Sequence, residues 1–153
     1  MERFVSKVAA VPVGTDKTLI NLFNPAATPT VRGRIYEVIL GSNDTPADNA
    51  GEFVVQRTTA VGTEGSGLVP KNLDSGGPAG AYDSGLGTFS VEPTYTSGAV
   101  LLSVPMNQRT TFHWRAFPGG ELVLAATQNN GAGLKSVSNT ATDDHGACIY
   151  FME

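Results

Sequence analysis

Two histidines, one cysteine and fourteen acids are the side chains through which this 153-residue chain could do acid–base, nucleophilic or metal chemistry. The densest grouping is Asp143-Asp144-His145-Gly146. Neighbours on extended backbone point to opposite sides, so the group offers two ligands at most to one metal. It reads rather as a polar turn feeding the apolar run after it. His113 stands between Phe112 and Trp114, and alternation places it on an outward face, a surface or interface position. Cys148 lies within Ala147–Met152, where cysteine behaves as a small hydrophobe; a nucleophile needs a base and a lowered pKa. Gly62-Thr63-Glu64-Gly65-Ser66-Gly67 lacks the Lys-Ser/Thr and the helix that a phosphate loop requires. No Gly-x-Ser-x-Gly elbow occurs. Glu52, Glu92 and Glu121 fall at expected strand ends, and nothing in their spacing selects a pair for glycoside hydrolysis. Arg32 and Arg34 flank Gly33 as strand-edge solvation. The expectation is a protein with no catalytic residue, no metal and no cofactor.

The elements that position these residues follow from 18 Gly and 9 Pro. The longest stretches free of both, Met106–Phe117 and Leu134–His145, reach only the length of one average helix, so an α-helical protein is excluded. Short apolar segments recur between turn residues: Phe4–Val11, Thr18–Phe23, Arg34–Leu40, Phe53–Thr58, Thr88–Glu92, Ala99–Val104, Thr110–Ala116, Glu121–Ala125, Gly133–Val137 and Ala147–Met152. All nine prolines fall between them, as residues that cannot donate to a ladder should. The pattern predicts one all-β domain over residues 1–153, an antiparallel β-sandwich of jelly-roll type, with an immunoglobulin-like sandwich as the rival. Alternation points Phe112 and Trp114 inward and Thr111, His113 and Arg115 outward; Phe53 and Val55 share a face opposite Glu52, Val54 and Gln56. Ile35–Leu40 is apolar almost throughout, as a central strand covered on both sides would be. Ala147–Met152 must lie inside a sheet or under a neighbouring subunit, because a free apolar edge invites aggregation. Pro118-Gly119-Gly120 reads as a hairpin turn. Gly62–Gly87, with eight glycines in 26 residues, reads as a long Gly-rich loop with a short strand near Leu68-Val69, lying against a neighbour.

Ten Lys and Arg against fourteen Asp and Glu give a net charge of −4, which disfavours nucleic acid as a partner. No apolar run approaches a membrane span, and the start Met1–Val5 has no signal-peptide pattern. A single cysteine forbids an internal disulfide. Tyr82 and Tyr95, near glycines in loops, are the rings best placed to stack a sugar.

Five polar strings are specific in their wording: Asn43–Ala50, Gln56–Ala60, Glu92–Tyr95, Asn107–Trp114 and Pro118–Glu121. Together they resemble a family of small structural proteins of tailed bacteriophages, the head decoration or cement class. The resemblance implies a β-rich module that trimerises on the outer surface of the capsid, assembled in the host cytoplasm. Its implied partners are copies of itself and the major capsid protein, and it implies no catalysis. A strand beginning at Phe4 leaves no room for a basic arm, which favours an outward position. Arg57, Arg109 and Arg115 are the cations expected to pair across an interface, with Arg3, Phe4, Tyr82 and His113 as further contact residues. A carbohydrate-binding jelly-roll module of a phage fibre or surface is the alternative.

Overall fold

The computed structural model describes residues 1–139 and 144–153, and over these the chain is all-β without a helix. The strands are β1 (Arg3–Pro12), β2 (Lys17–Phe23), β3 (Arg34–Ser42), β4 (Ala50–Ala60), β5 (Ser66–Leu68), β6 (Lys71–Asn72), β7 (Asp83–Leu86), β8 (Thr94–Asn107), β9 (Phe112–Arg115), β10 (Leu122–Val123), β11 (Gly131–Asn139) and β12 (Asp144–Met152). They make two antiparallel sheets packed face to face. One has the order β10-β3-β12-β1-β6, with β9 also paired to β3; the other runs β5-β7-β2-β11-β4-β8. The neighbours β9-β3-β12-β1 and β2-β11-β4-β8 are those of a jelly roll. This agrees with the fold read from the sequence.

The core follows from period-two alternation. On β12, His145, Ala147, Ile149 and Phe151 are buried while Gly146, Cys148, Tyr150 and Met152 are not. Phe4 and Phe151 are register partners, so their rings stack at 5.5 Å between centroids. Ile35, Val38 and Leu40 from the same sheet share one core with Ile20, Leu22, Phe53, Val55 and Leu134 of the other. Phe112 and Trp114 pack against this core with His113 and Arg115 outside, as alternation requires.

Three expectations need correction. Gly62–Gly87 is not one loose loop: β6 pairs with β1, β7 with β2 and β5 with β7, so the excursion extends both sheets. Its glycines have a packing reason, because Gly67 and Gly85 are partners and the Glu64 carboxylate occupies the space a Cβ would take on either. Thr88–Glu92 is not a strand. Both Ser90 and Val91 donate their N–H to the Thr63 carbonyl, which turns the segment over the second sheet rather than along an edge. There Glu92 accepts the Thr18 N–H at 3.0 Å. Pro105, finally, sits inside β8 rather than between strands. It is tolerated because β8 is an edge strand, where a missing donor breaks no ladder on the free side.

Candidate interaction surface

The residues expected at an interface do not all reach the surface. Phe4 is 1% exposed, in the stack with Phe151. Tyr82, also 1% exposed, is a core ring whose Oη accepts the Gly33 N–H at 3.0 Å and donates to the Ala125 carbonyl at 3.2 Å. Neither side chain can contact a partner, and burial raises the Tyr82 phenol above its ordinary pKa. Tyr95 is half-buried, bonded through Oη to Thr18 Oγ1 at 2.8 Å, with the Lys135 ammonium 4.5 Å from the ring centroid. The two tyrosines read as a sugar platform are therefore fastened into the fold. Arg57 shares the inward face of Phe53 and Val55, and its Nη1 crosses the sandwich to the Val123 carbonyl at 3.1 Å. It clasps the sheets together. Arg109 is exposed near the β3–β4 turn, its Nε 3.5 Å from the Pro46 carbonyl.

Arg3, His113 and Arg115 do come together, on the outward face of the β9-β3-β12-β1-β6 sheet. Strand register lays the side chains there in three rows, since cross-strand partners share a face. The first runs Val123, Arg34, Met152, Arg3. The second runs Arg115, Glu37, Tyr150, Val5, Lys71. The third runs His113, Ile39, Cys148, Lys7. Met152, Tyr150, Cys148, Ile39 and Val5 occupy the middle, each half-buried. Tyr36, the extra residue where the β3–β12 register shifts, adds a ring 6.3 Å from that of Tyr150. Cations stand around them. Glu37 is held by His113 Nε2 at 2.7 Å and lies 4.0 Å from Arg115 Nε.

At one end the face opens into a groove of about 460 Å³ lined by Arg3, Tyr36, Arg115, Ala116, Pro118, Glu121 and Met152. Phe117, at the tip of the adjoining β9–β10 turn, is 77% exposed. Burial pushes the Cys148 thiol above its ordinary pKa against the opposing pull of Lys7, and likewise raises the Tyr36 phenol. Neither group is activated.

The acids and histidines considered for chemistry are dispersed. Glu52 bonds Ser103 Oγ, Glu92 bonds the Thr18 N–H, and Glu121 accepts the Gly119 N–H. His145 is buried with its ring 5.1 Å from that of Phe53, while Asp143, its suggested companion, lies outside the described residues. Among the described residues no three His, Cys, Asp or Glu side chains group as metal ligands.

Four of the five polar strings turn out to be two mated pairs. Asn107 Nδ2 donates to Asp48 at 2.6 Å, the Gln108 N–H to the Asn49 carbonyl, and the Ala47 N–H to Gln108 Oε1 at 3.1 Å, so 43–50 and 107–114 close one end of the sandwich. In the same way Thr58 pairs with Tyr95 and Ala60 with Thr94, which joins 56–60 to 92–95. No family model, curated protein or solved structure matches the chain.

Proposed function

We propose that this chain is a structural protein of a tailed-phage particle, a capsid decoration or cement protein that trimerises on the outer capsid surface and stabilises contacts between capsomers. The observation that carries the reading is the outward face of the β9-β3-β12-β1-β6 sheet. Its central strand β12 is largely apolar on both sides over Gly146–Met152, and Ile39 and Tyr36 of β3 add to the outward side, yet the chain covers only the inner one. An apolar centre ringed by arginine and lysine is the anatomy of a protein–protein interface. The resemblance of the polar strings to phage decoration proteins supplies the setting, and their mutual hydrogen bonds give those strings a structural role. On this reading the major capsid protein is the second partner, and the protein performs no catalysis.

The test is to add purified protein to bare capsids of the phage that encodes it. Stable binding, visible as added density on the outer surface, should raise the temperature at which the capsids rupture. Protein that leaves the rupture temperature unchanged and adds no density would overturn the reading.

A further inference from the structure

We infer that the outward face of the β9-β3-β12-β1-β6 sheet is the docking surface for a second copy of this chain, which meets it with a different, acid-rich part of its surface. The inference rests on the self-association proposed above and adds which face makes it and with what symmetry.

Charge distribution carries the argument. Of the ten Lys and Arg, five stand on this face (Arg3, Lys7, Arg34, Lys71 and Arg115), with the acids Glu37 and Asp144 in its rows and Glu121 in its groove, so the other described residues carry five bases and ten acids. A chain of net charge −4 thus presents one positive face and an acidic remainder, which includes the exposed Asp16, Asp44 and Asp48. Two copies cannot join face to face across a two-fold axis, because that would set cations against cations around a desolvated centre. The complementary contact is heterologous, face to acidic side, and a heterologous contact builds a ring where its rotation closes. A cyclic trimer is the smallest such ring. Apolar side chains at both rims extend the patch: Phe117 beyond the Arg115 end and Leu73, 46% exposed, beyond Lys71.

Cys148 lies in the middle of the third row and provides a reporter. The full chain should run as a trimer by light scattering, and a maleimide should label Cys148 at least ten-fold more slowly in the trimer than after dilution to monomer. Arg3→Glu/Arg115→Glu should be monomeric and label fast, with a thermal transition like that of the wild type. Lys7→Glu/Lys71→Glu, on the opposite rim, should behave alike and guards against one pair failing to fold. A trimer that survives both double variants, or in which Cys148 labels as fast as in the monomer, overturns the assignment of this face and leaves the proposed function standing. A two-fold dimer overturns the symmetry argument. A chain that is monomeric at every concentration overturns the inference together with the self-association it rests on. A trimer built on this face that ignores capsids upholds the inference and removes the capsid reading.

Discussion

Tyr82 shows how far a residue's role can depart from its neighbourhood in sequence. It follows Gly76, Gly77 and Gly80, which marks a loop, and loop tyrosines are ordinarily exposed. Instead the ring fills the core 6.0 Å from Phe151, and its hydroxyl satisfies the Gly33 N–H and the Ala125 carbonyl. Replacing Tyr82 with Phe leaves that donor and acceptor buried without partners, so the variant should lose about 1–3 kcal/mol in urea unfolding. Phe151→Ala removes the ring against which Phe4 and Tyr82 both pack and should cost about 3–5 kcal/mol by the same measurement. His113 and Arg115 are legible because alternation within Phe112–Arg115 is unbroken. Phe4 suggests an interface through its place near the start of the chain, yet its own alternation with Ser6 puts it inside.

At the scale of elements, regular strands announce themselves and the excursion does not. β2, β3 and β12 carry dense apolar patterns that the sequence displays openly. β7, Asp83-Ser84-Gly85-Leu86, has no such pattern, because its strand character comes from pairing with β2 on one side and β5 on the other. The β5–β7 pair has a pH dependence of its own. Burial raises the Glu64 carboxyl above its ordinary value of 4.5, and the neighbouring Asp83 charge adds to the rise. An acid whose pKa is higher folded than unfolded binds more protons in the native state, so its contribution to stability falls as pH rises through the folded value. Wild-type protein should therefore gain stability relative to Glu64→Gln on acidification from pH 7 towards 4.5, and two series of thermal melts compare them. Equal pH profiles would show that Glu64 is fully solvated.

For the whole molecule, the sequence shows a net charge of −4 but not its partition, since five of the cations gather on one face only when β1, β3, β6, β9 and β12 are brought side by side. The hint is present in two strands. Ala147–Met152 is apolar on both sides and Ile35–Leu40 nearly so, Glu37 excepted, and the fold supplies cover for only one side. On the reading proposed above, a second copy of this chain covers the other side, and its surface too is assembled only by the fold. A ring joined by opposite charges should loosen as salt screens them. Raising ionic strength from about 0.05 to 0.5 M should shorten the Debye length about three-fold and weaken trimer assembly by roughly ten-fold, read by sedimentation. An apolar-only contact would instead hold or tighten.

The strand orders also carry a timetable. β12 lies between β1 and β3, and β11 lies between β2 and β4. The middle of each sheet is thus made last, and the strands that flank it must wait on the ribosome with their inner edges open. Together β11 and β12 act as a double key that turns two sets of half-built hairpins into a sandwich at a single late moment. A chain cut at 130 should show no cooperative unfolding and should aggregate, however much of the apolar core it retains.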